Sequence, residues 1–229
     1  MQINSTISPS LPLAFPMAFA TLIAFRRWLF NLNRHQLDKL NKVNGTSAAL
    51  LTVLGLVICL LSILVCFAFS GIQAEHPSPT PGLTGLNAWS TAYALPIYGA
   101  IVEEAAFRAQ LQLRMESMLS PFGAMCASSV AFIAIHTANE GFFAYWPLYL
   151  SITIVCGLLV LKLRSVYFAL IVHSLTNLLG GASASLLNDS ADMLSESTAR
   201  VVIVFLLVSG LSIFFWSIFQ IRRAQPSTS

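Results

Sequence analysis

Charge is what this sequence lacks. Its 229 residues include 12 Lys and Arg and 9 Asp and Glu, so charged residues make up 9% of the chain. An average soluble domain carries about 25%. That deficit excludes a soluble enzyme, a disordered protein and a nucleic-acid-binding domain. The formal net charge of +3 is too small to argue for a polyanionic partner. Cysteine is scarce as well: Cys59, Cys66, Cys126 and Cys156 all lie in apolar runs and none in a polar loop. They read as small buried hydrophobes rather than a disulfide set or a zinc ribbon. No internal repeat and no low-complexity tract occurs. What fills the chain instead is apolar, at 56% hydrophobic residues, and this length suits one domain or two small ones. The composition is that of a polytopic membrane protein.

A bilayer-crossing helix needs about 20 mostly apolar residues. Residues 47–69, 142–163, 166–187 and 200–221 meet that length, and 88–107 and 119–136 are further candidates. The stretch 11–25 is short and carries Pro12 and Pro16, so it either spans or lies at the interface. It lacks a basic leading region and a small-residue cleavage site, so it is not a signal peptide. The expected fold is all-α, a polytopic transmembrane bundle of six to seven membrane helices with no room for a soluble domain. Three parts follow along the chain. Residues 1–84 hold the N-terminal membrane segments, 85–187 a membrane core rich in polar motifs, and 188–229 an outer loop, a final span and a tail.

The loops alternate in charge. Arg26, Arg27, Arg34, Lys39 and Lys42, then Arg114, then Lys162 and Arg164, then Arg222 and Arg223 flank the spans on one side. Loops 70–87, 137–141 and 188–199 contain no Lys or Arg and hold Glu75, Glu140, Asp189, Asp192 and Glu196. By the positive-inside rule the basic loops and the C-terminus are cytoplasmic. The Pro-rich run His76–Gly82 is then an outer loop. Trp28, Trp89, Trp146 and Trp216 fall near span ends as interfacial anchors, and Gly180–Ala184 reads as a small-residue packing face.

Five ionisable residues remain inside the spans: Glu103, Glu104, Arg108, His136 and His173, with Asn177 one turn after the last. Such groups cost several kcal/mol at mid-bilayer and suggest a functional site by default. Glu104 and Arg108 are i and i+4, on one helix face, and can pair. Glu103 points about 100° away from Glu104 on the same helix. His173 and Asn177, and Phe132 and His136, repeat the i, i+4 separation. At 1.5 Å per residue Glu103 lies roughly 16 Å from Arg114, and His173 roughly 13 Å from Arg164. His136 lies roughly 24 Å from its helix start, so it needs a tilt, or a start dipping into the membrane, to meet the others.

A carboxylate in an apolar cavity is a natural water activator, because desolvation disfavours its charged form. Arg108 can neutralise Glu104, while two imidazoles and an amide can polarise a carbonyl and hold the oxyanion that forms. Peptide-bond hydrolysis needs this set. Other membrane-protease designs fail by absence. No His-Glu-x-x-His stretch exists. Asp38, Asp189 and Asp192 lie in loops, and the nearest approach to Gly-x-Ser-x-Gly, Gly181–Ser185, lacks the last glycine.

Glu103-Glu104-Ala105-Ala106-Phe107-Arg108, Phe132-Ile133-Ala134-Ile135-His136 and His173-Ser174-Leu175-Thr176-Asn177 resemble, in order, the three motifs of the CPBP family. That family comprises the type II CAAX prenyl endopeptidases and the bacteriocin-processing or immunity proteins also called Abi. The resemblance covers roughly residues 85–187 and extends to Leu95-Pro96 and Gly157; Ala109 departs from the glycine usual after the arginine. It implies an intramembrane endopeptidase in which Glu103 activates water, Glu104 and Arg108 form a supporting pair, His136 binds water or substrate, and His173 with Asn177 holds the oxyanion. It implies a peptide or protein substrate at the lipid bilayer of a prokaryotic cell membrane, and no nucleic acid. A prenylated C-terminus, a leader peptide and a sorting-signal tail would all suit. The family has been called both zinc- and glutamate-dependent. Zinc would take Glu103, His136 and His173, but Arg108 beside Glu104 competes with a metal, so no cofactor is favoured. Two rivals stand beside this reading: a catalytically idle immunity or scaffold protein of the same fold, and a small proton-coupled transporter. The latter is disfavoured by size and the lack of a repeated broken-helix pair.

Overall fold

A backbone in hydrocarbon must satisfy its own N–H and C=O groups, and a helix does so within one segment. The computed structural model describes residues 45–70, 94–139, 142–189 and 197–223, which are helical apart from short turns. Helix α1 runs Gly45–Ser70 and α2 Leu95–Glu103. Without a break, α2 passes into a π-helix, Glu104–Gln112, and a last turn α3, Leu113–Met115. Then come α4 (Pro121–His136), α5 (Phe142–Leu163), α6 (Val166–Asp189) and α7 (Ser197–Arg223).

The apolar stretches are found as helices close to the expected boundaries. Helices α6 and α7 run slightly into the flanking polar sequence, and the segment expected at 88–107 continues past Arg108 to Met115. Their lengths are uneven. Among the described residues three helices are long and apolar enough to cross a membrane: Gly45–Ala68, Phe142–Leu163 and Arg200–Ile218. Pro121–His136 and Val166–Gly180 are shorter apolar stretches. Helix α4 falls short because it starts late: Ser120 caps it, its Oγ accepting from the Gly123 N–H at 3.1 Å, and Pro121 follows. Its 16 residues rise only about 24 Å, less than a full hydrocarbon core. Segment 11–25 and the Pro-rich run His76–Gly82 lie outside the described residues.

Helix α1 is the centre of the bundle and packs on α5, α6 and α7. Leu51, Ile58 and Cys59 of α1 meet Val155 and Leu159 of α5 and Phe214 of α7 in one buried cluster. The close approach is possible where a side chain is missing. A Cβ on Gly55 would come 2.6 Å from Val155 Cγ1, and one on Gly157 2.7 Å from Met125 Cγ, so α1, α5 and α4 cross at glycines. All four cysteines are free and three of them are buried, as expected of small hydrophobes. Trp146 and Trp216 are exposed. Arg164, with φ 51°, turns α5 tightly into α6 and forms an ion pair with Glu116 at the end of the π-helical arm.

That arm carries the polar residues. In the π-helix the Leu113 N–H reaches back five residues to the Arg108 carbonyl. The ladder is also opened from outside, since Ser128 on α4 donates its Oγ–H to the Phe107 carbonyl at 2.7 Å. Such wide turns are rare and concentrate at functional sites.

Candidate active site

Glu104, Arg108 and Gln112 form a row of three spaced by four residues on the π-helix, and all three are buried. Each is met by a partner. The Glu104 carboxylate is fully enclosed; its Oε2 lies 3.4 Å from Arg108 Nε and its Oε1 is 2.9 Å from His173 Nδ1. Arg108 Nη2 donates to both the carbonyl (3.2 Å) and the hydroxyl (3.0 Å) of Thr153 on α5. One turn on, Gln112 Nε2 donates to the Gly157 carbonyl at 3.2 Å. The Phe132 ring lies 4.8 Å from the guanidinium carbon, a cation–π contact on a group whose Nη1 has no hydrogen-bond partner among the described residues.

Glu103 stands apart from this network. Its side chain is 27% exposed, and its Oε2 faces His136 Nε2 at 3.7 Å and His173 Nε2 at 3.6 Å. Both separations exceed a direct hydrogen bond. The other nitrogen of each ring is engaged. His136 Nδ1 donates to the Phe132 carbonyl at 2.7 Å, since a carbonyl only accepts. His173 Nδ1 donates to the paired carboxylate of Glu104. Each imidazole therefore turns its Nε2 toward Glu103.

Glu103, Glu104, Arg108, His136 and His173 thus converge from three helices. Asn177 is near but differently used: its Nδ2 donates to the Pro96 carbonyl on α2 at 3.2 Å. His136, the last residue of the short helix α4, nonetheless meets Glu103. Sequence reasoning missed Gln112, Thr153 and the Pro96 carbonyl. Gln112 continues the spacing of Glu104 and Arg108 and was findable on that ground; Thr153, lone in an apolar helix, gave no signal.

Both Glu104 oxygens are claimed by Arg108 and His173, so this carboxylate is not available as a metal ligand.

Arg108→Ala removes the cation from a buried carboxylate, a change that costs about 3–5 kcal/mol in comparable buried pairs. The melting temperature in detergent should fall together with any activity. An inactive variant that melts like the wild type would move Arg108 into the reacting set.

Residues 85–179 match the family model for type II CAAX prenyl endopeptidase Rce1-like proteins. No curated protein and no solved structure matches the chain. The matched segment spans α2, the π-helix, α4, α5 and most of α6, and so contains every residue of the convergent site. Through this segment, less than half of its length, the chain is similar to the CAAX-type membrane proteases.

Proposed function

We propose that the protein is an intramembrane endopeptidase that hydrolyses a peptide bond at the membrane with Glu103 as general base. One observation carries this reading: of two adjacent carboxylates, one is spent on Arg108 and His173, while the other faces two imidazole nitrogens and is part-exposed. In this reading Glu103 takes a proton from water as the water oxygen bonds to the substrate carbonyl carbon, and the carbonyl electrons move onto oxygen. One of His136 and His173, each with its Nδ1 proton already committed, accepts that proton from Glu103 at Nε2. The imidazolium so formed donates to the oxyanion and then to the leaving amine as the C–N bond breaks. Asn177 Nδ2 has a second N–H beyond the one given to Pro96, and it is assigned to the oxyanion. Glu104, paired with Arg108, orients His173. No metal is required for any of these steps.

The substrate proposed is a peptide or protein whose scissile bond lies at the bilayer. The family's name points to a prenylated CAAX-type C-terminus; a leader peptide or sorting tail would present a bond at the same depth. The protein is placed as multi-pass, with its basic loops and C-terminus on the cytoplasmic side.

Glu103→Gln keeps the volume and removes the base. Cleavage of the native substrate in membranes should fall by roughly 10²–10⁴ at matched expression, the usual contribution of a general base. Turnover like the wild type would exclude Glu103 from that role. Purified protein should also contain far less than one zinc per chain and remain active after chelation. Stoichiometric zinc, with activity lost to chelator and restored by metal, would make Glu103, His136 and His173 ligands instead.

A further inference from the structure

His136 stands at a helix end. It is the last residue of α4, where helix ends fray, and its ring is tied to that helix by one bond, Nδ1–H to the Phe132 carbonyl at 2.7 Å. An imidazole at such a place can rotate its Nε2 away from Glu103. Two aromatic rings oppose this. Phe132, one turn earlier, lies 4.3 Å from the imidazole centroid at an interplanar angle of 31°. Tyr149, from the facing helix α5, lies 4.5 Å away at 39°. Tyr149 is itself stacked on Phe142 at 5.9 Å and 8°, seven residues earlier on the same helix face. The Phe142 N–H in turn donates to the Asn139 carbonyl at 3.1 Å, within the turn that follows His136. The stack Phe142–Tyr149–His136 therefore closes the end of the α4–α5 hairpin onto the imidazole.

We infer that Tyr149 is a positioning residue for His136: its ring holds the imidazole with Nε2 on Glu103. The inference rests on the proteolytic reading for its consequence in catalysis. The ring carries the contact; no hydrogen bond of the Tyr149 hydroxyl enters it. Tyr149→Phe should preserve the function, and Tyr149→Leu, which leaves the imidazole one aromatic neighbour, should not. Misplacement of a reacting group by an ångström costs about 10²-fold in rate.

The test uses the full chain in detergent and an internally quenched peptide ending in a farnesylated Cys-aliphatic-aliphatic-X sequence. Tyr149→Leu should lower kcat by up to about 10²-fold with KM unchanged, and Tyr149→Phe should restore the wild-type kcat. A raised KM at unchanged kcat would make Tyr149 a substrate contact, and failure of Tyr149→Phe would assign the role to the hydroxyl; either result overturns the inference. Should Tyr149→Leu not fold, Phe142→Leu is expected to lower kcat in the same direction by less, and a wild-type kcat there is contrary evidence. The His136 ring nitrogens, observed by NMR in isotope-labelled protein and identified by their loss in His136→Gln, give a readout that needs no substrate. They should report one Nδ1–H form in the wild type and Tyr149→Phe, and mixed forms in Tyr149→Leu; identical spectra in all three overturn the positioning. A wild type that leaves the peptide uncut while these signals respond as expected overturns the prenylated substrate alone and leaves the positioning standing.

Discussion

A carboxylate buried without water must be paired, and the fully enclosed Glu104 sets the terms for everything around it. Its partner Arg108 is equally buried, so the pair needs further hydrogen bonds to be tolerable, and Thr153 supplies two of them from α5. His173 supplies the other, from α6. One charge thus fastens the π-helix to two neighbouring helices at once. The same pairing divides the labour between adjacent glutamates: Glu104 is occupied, and Glu103, turned about a quarter of the way round the helix, is left to face the histidines.

The helix geometry serves that division. A polar row spaced by four, Glu104, Arg108 and Gln112, is presented to carbonyls of α5 that are also spaced by four, at Thr153 and Gly157. The wide π turn accommodates this row while Ser128 takes up the Phe107 carbonyl from the far side. Glycines allow the approach: a Cβ on Gly157 would meet Met125, and with it the spacing that lets Gln112 reach the α5 backbone would be lost. The packing and the polar network are one construction.

Much of this was legible from residue types alone. Ionisable side chains are so costly in hydrocarbon that Glu103, Glu104, Arg108, His136 and His173 stood out against their apolar surroundings, and i, i+4 spacing paired Glu104 with Arg108 correctly. The amphipathic signal that reveals soluble helices is absent from a chain apolar on all sides, so helix faces had to be inferred from the polar residues only. That is why Thr153 and Tyr149 escaped: each is one residue in a long apolar helix, and its partner is distant in sequence. The π-helix escaped because no local residue pattern marks it, and the bond that meets its Phe107 carbonyl comes from Ser128 on another helix. Asn177 shows the limit of spacing: sharing a face with His173 put it near the site, yet its amide turned to the Pro96 carbonyl in the first turn of α2, which has a second lone pair to offer.

The most direct test of this construction is a double-mutant cycle on the pair at its centre. Melting temperatures in detergent would be compared for Glu104→Gln, Arg108→Met and the double variant. Each single change strands a buried charge and should lower the melting temperature strongly. The double variant removes both charges and should recover a large part of the loss, a non-additivity expected of groups that bury one another. A double variant as unstable as the sum of the singles would show that the two residues act separately, and would contradict the account.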